Sequence, residues 1–296
     1  MQGIAVPVSM VAGNSFVHRL NPVAKLAWVI AVLIVAFATR NPLFLLSLAG
    51  VGIVLAVVSG ITRPFLRVLL ILLPIGASLI VLQSVAPAFP RPWTPIVEVG
   101  PFTIYQEGIY SGLSLLSRVL SMTAFALVMI LTTHPSDLFT SLARIRVPYT
   151  LNFMLAMTLQ LIPVLQREIA IVMSAQKSRG MKSTGFGSIV PSFVPVFAGA
   201  IQRVQQLSIS LESRAFGSSG HKTSYRRVAV KPVDWAVGGA AAVFLAGAIG
   251  IFVTNGFLDM SRALVFPPAL AVGLVAVAAA TFITFVGSAV WLIARS

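Results

Sequence analysis

The residues of this chain that could do acid–base or metal chemistry are few and widely spaced. The sequence has seven Asp and Glu residues, three His and no Cys. Without Cys, disulfides, thiolate zinc sites, iron–sulfur clusters and cysteine nucleophiles are excluded. No two acids have the spacing of metal ligands on one helix. We therefore expect no catalytic residue, no metal site and no cofactor. The acids are Glu98, Glu107, Asp137, Glu168, Glu212, Asp234 and Asp259.

Two arginines are distinctive because each stands at the end of a predicted helix in a similar tripeptide. The tripeptides are Ser178-Arg179-Gly180 and Ser213-Arg214-Ala215. A cation in the last turn suits the helix dipole, and a following Gly suits a C-cap. Capping alone would explain one such end, but two of them favour a matched pair of docking tips. An Arg at a helix tip can enter a cleft and form a forked hydrogen bond with a partner carboxylate or carbonyl.

Residues 217–223 imitate a phosphate-binding loop without forming one. A P-loop needs Gly directly before Lys and a strand before the loop. Here His221 separates Gly220 from Lys222, and no strand is predicted upstream. We therefore expect a flexible basic linker whose cations favour anionic headgroups of the lipid bilayer. No aromatic–basic module accompanies the charge, so no nucleic-acid partner is expected.

The composition places these few polar residues in a membrane protein. Hydrophobic residues make up 57% of the 296 positions and charged residues 9%. An ordinary soluble domain has about 25% charged residues, and the mean hydropathy here is +0.96. So few charges cannot cover a soluble surface, and so much apolar mass excludes disorder. An integral membrane protein is the remaining class.

Six apolar stretches are long enough, or nearly so, to cross the bilayer as helices. The Asn41-Pro42 pair between the first two stretches predicts a turn and a helix start. Residues 85–105 are rich in Pro and Gly and predict an extended loop or short hairpin. The predicted fold is an all-α integral membrane protein of about six transmembrane helices plus a cytoplasmic module of amphipathic helices. The stretches are 24–39, 42–59, 66–84, 108–132, 234–254 and 264–293.

The distribution of positive charge predicts the orientation. With the N-terminus inside, all of the 21 Lys and Arg residues lie on the cytoplasmic side except Arg40, Arg91, Arg118 and Arg262. This asymmetry follows the positive-inside rule, so both termini are predicted to be cytoplasmic. Arg118 falls within the fourth span, where a charge is costly. A buried packing and hydrogen-bonding role is favoured for it over a substrate contact.

The chain is predicted to have three parts: a membrane domain at 1–132, a module of cytoplasmic or interfacial helices at 133–232, and a membrane segment at 233–296. The module begins with a short amphipathic helix that Pro148 ends. Two longer helices follow, at about 150–179 and 192–214, each with a narrow apolar seam. The seams suggest that the two helices pack against each other and against the membrane domain. The seam residues are Ile162, Leu165, Ile169, Val172, Phe197, Ile201, Val204 and Leu211.

Several motifs, in this order, resemble the transmembrane (T) component of energy-coupling factor transporters. The stretch from Ser15 to Leu26 is similar to the family's "S-x-(I/L)-H-x-L-(D/N)-P-x-x-K-L". Glu107 to Leu113 with Arg118 resembles its "E-G-L-x-x-G" span and following Arg, and Leu131 to Leu138 resembles "T-T-x-P-x-D-L". Leu161-Ile162-Pro163 before Ser178-Arg179-Gly180 is similar to "F-I-P … A-R-G". The likeness covers roughly residues 10–255 and leaves the role of the last span open.

The resemblance implies an energy-coupling subunit of an ATP-driven importer for vitamins or metal ions in the prokaryotic cell (inner) membrane. Its partners would be two cytoplasmic ABC-type ATPase subunits and one membrane-embedded substrate-binding (S) subunit. Arg179 and Arg214 would enter grooves of the ATPases, while the coupling helices pass motion to the S subunit. Both tripeptides depart from the family by having Ser in place of Ala. The second also has Ala215 in place of Gly, a less comfortable left-handed cap.

An alternative interpretation is that the chain is a conventional ABC importer permease, which lines its own substrate path. Such a permease docks through one cytoplasmic loop, and the stretch from Ala175 to Pro191 faintly resembles its "E-A-A-x-x-x-G … I-x-L-P" pattern. The second Arg tripeptide and the helical length around both tripeptides argue against this reading. An enzyme is disfavoured by the scattered acids, and a scaffold without nucleotide coupling would leave the paired Arg tips without a purpose.

Overall fold

The computed structural model of the chain describes residues 13, 15–88, 93–99, 102–142, 148–180, 190–218, 231–254 and 267–295. These residues form two compact units. Unit 1 draws its described residues from 1–134 and 229–296, and unit 2 draws them from 135–228. Unit 2 is thus inserted in sequence between two parts of unit 1. Some residues that entered the sequence predictions lie outside the described residues: Arg91, Gly220, His221, Lys222, Asp259 and Arg262.

The described elements are helices apart from one hairpin, and they follow the predicted apolar stretches closely. Unit 2 contains α6, α7 and α8, and unit 1 contains the other elements. In chain order the elements are α1 Phe16–Arg19, α2 Pro22–Ala38, α3 Pro42–Val58, α4 Thr62–Val85, β1 Pro95–Val99, β2 Phe102–Tyr105, α5 Gln106–Thr132, α6 Pro135–Leu142, α7 Tyr149–Ser178, α8 Val190–Ser213, α9 Pro232–Thr254 and α10 Pro268–Arg295.

Asn-Pro pairs start both helices of the first helical hairpin. The Asn21 side chain accepts a hydrogen bond from the backbone N–H of Val23, and the Asn41 side chain accepts from that of Leu43. Pro22 and Pro42 occupy the first helical positions, where a missing N–H costs nothing. The helix start predicted at Asn41-Pro42 is confirmed.

Helix α5 is at the centre of unit 1, packed on α3 and α4. Its buried positions include the serines Ser111, Ser114, Ser117 and Ser121. Small residues let α4 come close, because a Cβ at Gly112 would lie 2.7 Å from the Ile80 Cα. The close approach buries the polar face of α5, and the hydroxyls bond backbone carbonyls: Ser117 donates to the Leu113 carbonyl oxygen at 2.7 Å.

Residues 95–99 and 102–105 form a short hairpin, one of the two structures predicted for the Pro- and Gly-rich stretch. Strands β1 and β2 pair antiparallel, with Val97 opposite Ile104 and Val99 opposite Phe102. The Thr94 hydroxyl, just before β1, donates to Glu107 Oε1 at 2.6 Å, which fastens the hairpin to the first turn of α5.

Hydropathy and length support the predicted membrane class. Among the described residues, α4, α5, α7 and the Pro232–Ile251 part of α9 are long and apolar enough to cross a membrane. Helices α2 and α3 and the Leu270–Thr284 part of α10 are shorter apolar helices. The all-α membrane fold predicted from the sequence is confirmed.

In unit 2 the contact between α7 and α8 includes residues that lie off the apolar seams. The contact includes Glu168 and Arg203, joined at 3.4 Å, and Gly199, whose absent Cβ makes room for the Glu168 carboxylate. The apolar periodicity places these residues off the seams. Most seam positions are exposed instead: Ile162, Ile169, Phe197, Ile201 and Val204. Leu165, Val172 and Leu211 are partly buried, so the expectation that the seams pack the two helices together stays a prediction.

Candidate functional site: two arginine helix tips

The first tip is the C-terminus of α7, where the chain turns in a left-handed residue directly after Arg179. Arg179 is the C-cap, and its N–H bonds the Ala175 carbonyl at 3.2 Å. Gly180 has φ +86 and bonds the Lys177 carbonyl at 3.0 Å. Glycine suits this position because it adopts positive φ without steric cost. The turn leaves the Arg179 side chain at the very end of the helix.

The second tip, at the end of α8, repeats this geometry. The Ala215 N–H bonds the Glu212 carbonyl and the Phe216 N–H bonds the Leu211 carbonyl, each at 2.9 Å. These two bonds define a Schellman motif. Ala215 takes the left-handed position with φ +53, which a Cβ makes unfavourable by about 1–2 kcal/mol. The backbone strain expected at Ala215 is therefore present, yet the second tip forms the same left-handed turn as the first.

The serines of the two tripeptides also match. The Ser178 hydroxyl donates to the Ser174 carbonyl at 3.1 Å, and the Ser213 hydroxyl donates to the Ser210 carbonyl at 3.0 Å. Each hydroxyl is satisfied within its own helix. Ser in place of Ala therefore leaves no unsatisfied hydroxyl at either tip.

Both arginines are exposed and open to a partner. Arg179 and Arg214 lie at the surface of the described chain, and none of its hydrogen bonds or ion pairs involves either guanidinium. A guanidinium presents five N–H donors in a rigid fork that matches a carboxylate or a pair of carbonyls. Each tip is therefore a charged donor held at a fixed helix end.

An aromatic cluster missed by the sequence reasoning supports the second tip. The Phe216 ring lies 4.5 Å from that of Phe153 and 5.7 Å from that of Tyr149, centroid to centroid. Phe216 thus joins the end of α8 to the start of α7. The available signal was the apolar residue after the left-handed cap, a position that often makes a hydrophobic contact.

In unit 1 two of the family-like motifs meet through a buried lysine. Lys25 Nζ donates to the Thr132 carbonyl at 3.1 Å, to the Thr132 hydroxyl at 3.3 Å and to the Thr133 hydroxyl at 3.0 Å. The ammonium lies at the C-terminal end of α5, where the helix dipole favours a cation. A charge only 7% exposed is tolerated because its donors are paired.

A second contact fastens the start of α9 to the same part of the chain. The Asp234 carboxylate accepts from the N–H of Asn21 and from the N–H of Lys231, each at 2.8 Å. Trp28 Nε1 donates to the Val237 carbonyl at 3.0 Å. Residues 21–25 therefore hold both the end of α5 and the beginning of α9. We call residues 21–25 the joint.

Arg118 has the hydrogen-bonding role favoured from the sequence. Its Nη2 donates to the Thr39 carbonyl at 2.9 Å, and its guanidinium lies 5.7 Å from the centre of the Phe37 ring. This contact ties the turn between α2 and α3 to α5.

Comparison with known proteins identifies the class to which this helical chain belongs. The model of the cobalt transport protein family, CbiQ, matches residues 13–225. An energy-coupling factor transporter transmembrane protein of Staphylococcus aureus is 31% identical over 229 residues, or 73% of this chain and 85% of that protein. One of the same name from Thermanaerovibrio acidaminovorans is 30% identical over 251 residues, covering 80% and 92%.

A further relative differs in length and description. A putative ABC transporter ATP-binding protein of Bifidobacterium longum is 26% identical over 253 residues, which are 80% of this chain but 32% of that protein. The chain belongs to the family of energy-coupling factor T components, the cobalt transport protein family. It is accordingly a multi-pass membrane component of a transporter.

Proposed function

We propose that this chain couples two cytoplasmic ABC-type ATPases to a separate membrane-embedded substrate-binding subunit, in an importer of vitamins or metal ions. The observation that carries the proposal is the matched pair of tips. Two helices end in an exposed Arg followed by a residue of positive φ. The family supports the assignment, and the relative described as an ATP-binding protein contains a segment similar to this chain.

In the proposed mechanism Arg179 and Arg214 each dock on one ATPase subunit. Closure of the ATPase pair on ATP would move both tips, and α7 and α8 would move with them. The Glu168–Arg203 pair joins these two helices where they meet. Hydrolysis belongs to the ATPases, so the present chain is expected to be non-catalytic. Among its described residues no group of three His, Asp or Glu side chains is placed to hold a metal ion.

The test of docking is the double variant Arg179→Ala with Arg214→Ala, expressed with its ATPases and S subunit. We expect loss of ATPase co-purification, or hydrolysis that no longer drives uptake. Each single change should cost about 2–5 kcal/mol of local docking free energy if the charge pair is desolvated. The matched control is Arg167→Ala, an exposed arginine in the body of α7. Wild-type coupling in the double variant would contradict the proposal.

The S subunit is proposed to contact the apolar surface that unit 2 leaves exposed. Seam residues such as Phe197 and Val204 are 55% and 57% exposed in the isolated chain. Apolar surface of this kind marks a contact with another protein or with lipid. The stoichiometry of the purified complex tests this proposal. One small membrane protein carrying the substrate supports it, whereas two copies of this chain with a soluble receptor would support the permease alternative.

Both termini are proposed to lie in the cytoplasm of a prokaryotic cell. Because the chain has no Cys, single cysteines can report sidedness directly. Lys177→Cys and Arg40→Cys place a thiol at an exposed position of unit 2 and at the turn between α2 and α3. A membrane-impermeant maleimide added to intact cells should label only the second variant. Labelling of the first variant alone would reverse the orientation.

A further inference from the structure

The start of α7 carries two aromatic rings on one face. Tyr149 and Phe153 stand at i and i+4, and side chains at this spacing lie on the same side of a helix. Their ring centroids are 6.3 Å apart and their planes differ by 25°. The Asn152 N–H donates to the carbonyl of the N-cap Pro148 at 3.1 Å, so the helix is formed from its first turn. The backbone beneath the two rings is therefore fixed.

The Phe216 ring, which follows the left-handed turn of the second tip, packs on both rings of this pair. Its planes make angles of 46° with Phe153 and 42° with Tyr149, at the centroid distances given above. Tilted ring pairs at separations of about 4.5–7 Å are favourable. In a Schellman turn the residue at this position commonly makes an apolar contact. Here its ring partners lie on the neighbouring helix, so the turn that ends α8 is attached to the start of α7.

The turn at the second tip needs such a contact more than the turn at the first. Ala215 has φ +53, where its Cβ lies close to the backbone, so this turn is less stable than one built on glycine. Gly180 makes the same kind of turn at the first tip without this cost. The N–H that completes the Schellman motif at the second tip belongs to Phe216 itself. Holding the Phe216 ring therefore opposes the opening of a strained turn.

The ring contact lies far from the place where Glu168 and Arg203 join the two helices. Glu168 is about 22 Å along α7 from Phe153, and Arg203 is about 16 Å along α8 from Arg214. The Glu168–Arg203 pair is partly exposed and joined by one contact at 3.4 Å, which leaves the helices able to rotate about it. A second contact at the end of α8 removes this freedom. The direction of Arg214 relative to α7 is therefore set by the rings.

We propose that Phe216 is a positioning residue for Arg214, because it holds the second tip against the start of α7. Helix α7 ends at the first tip and has 30 residues, so its two ends lie at most about 45 Å apart. One helix thus limits the spacing of both docked arginines. This inference rests on the proposed docking of the two arginines on the ATPases. Without the Phe216 ring, Arg214 stays exposed but varies in direction, which adds an ordering cost to docking.

The test measures the Kd of the purified ATPase pair for the full chain in detergent. Phe216→Ala and Phe153→Ala should each weaken binding by about tenfold, the scale of one aromatic pair. Phe216→Tyr keeps the ring and should retain wild-type affinity. The matched control is Phe193→Ala, which removes a ring stacked on Phe197 at 5.8 Å near the other end of α8 and should leave the Kd unchanged. An effect of Phe216→Ala that Phe153→Ala does not reproduce would overturn the inference, because the Phe216 ring would then contact the ATPase itself.

A double-mutant cycle shows whether the ring acts through the arginine. In the Arg214→Ala background, Phe216→Ala should change the Kd by less than about twofold, because the group that it positions is gone. Equal weakening by Phe216→Ala in both backgrounds would overturn the inference and leave the docking of Arg214 standing. Wild-type affinity of Arg214→Ala alone would refute the docking on which the inference rests.

Hydrogen exchange of the free chain tests the ring contact without the ATPases. The Phe216 amide should exchange about tenfold faster in Phe153→Ala, since the turn opens more often when its partner ring is absent. The Phe193→Ala control should leave this amide at its wild-type rate. Unchanged exchange in Phe153→Ala would overturn the inference whatever the ATPases do.

Discussion

Helices α5 and α7 are similar in length and apolar character but differ in what they contact. They have 27 and 30 residues, and both are long and apolar enough to cross a membrane. Half of the most apolar 18-residue window of α5 is buried inside the structure, whereas none of that of α7 is. Composition alone therefore does not separate a helix that organises its own unit from one that leaves its surface to lipid or another chain.

The charged residues show the same difference. Lys25 is enclosed, and its ammonium donates to groups at the end of α5. Arg179 ends α7 exposed, and no described side chain or carbonyl accepts from its guanidinium. One cation stabilises the fold of unit 1, and the other is proposed to act only when a partner arrives. Substitutions at the two kinds of site should consequently separate stability from coupling.

The largest expected effect on stability is at Lys25. Lys25→Met leaves the Thr132 carbonyl and the Thr133 hydroxyl without their buried donor, at a cost of about 3 kcal/mol. The measurement is the unfolding midpoint of the purified chain in detergent. Lys177→Met, an exposed lysine near the end of α7, should change stability by less than about 0.5 kcal/mol. Equal shifts of the unfolding midpoint in Lys25→Met and Lys177→Met would contradict the difference between the buried and the exposed lysine.

A smaller difference is expected between two glycines. A Cβ at Gly108 would collide with the backbone of Gln83 on α4, which cannot move independently of its helix. Gly108→Ala should therefore destabilise unit 1 by about 1–3 kcal/mol. At Gly199 the colliding group is the end of the Glu168 side chain, which can rotate away. Gly199→Ala should cost less than about 1 kcal/mol, the upper value for a surface ion pair, because the Glu168–Arg203 pair is partly exposed. The same unfolding assay compares the two variants. A larger destabilisation by Gly199→Ala than by Gly108→Ala would refute the packing argument.

The smallest expected effects compare the two tips with each other. Gly180→Ala introduces a Cβ at positive φ with nothing within 4 Å, so only backbone strain is added, about 1 kcal/mol. Ala215→Gly should relieve similar strain at the second tip. Hydrogen exchange of the last-turn amides should therefore accelerate in the first variant and slow in the second. Unchanged exchange in both would show that the left-handed turns do not control the tips.

The sequence predicted the elements of unit 1 better than their contacts. The Asn-Pro caps and apolar lengths located α2 and α3 within two residues, at 22–38 against 24–39 and at 42–58 against 42–59. Local pattern does not encode the bonds of Lys25 to residues 107 and 108 positions away. The family resemblance covered both the motif that contains Lys25 and the motif that contains Thr132, but it did not show that the two motifs are in contact.

The interaction between α7 and α8 shows a different limit. Apolar periodicity identified the seams, and the structure leaves most of their residues exposed. Glu168 and Arg203 form the interhelical pair, and Gly199 lies against Glu168, although a helical wheel assigns them to the polar face. Periodicity shows which surface avoids water, but it does not show whether that surface meets the same chain or another molecule.

The joint at residues 21–25 has a consequence for how the length of the inserted segment can vary. Lys25 holds the chain where it leaves α5, and Asn21 holds Asp234 where the chain enters α9. In polymer terms, the segment between the end of α5 and the start of α9 is a loop, and contacts within unit 1 already hold its two ends together. The entropy of closing such a loop grows only with the logarithm of its length, about 0.6 kcal/mol per doubling. Residues can therefore be added to or removed from the linkers of unit 2 at little thermodynamic cost, provided that the joint stays intact.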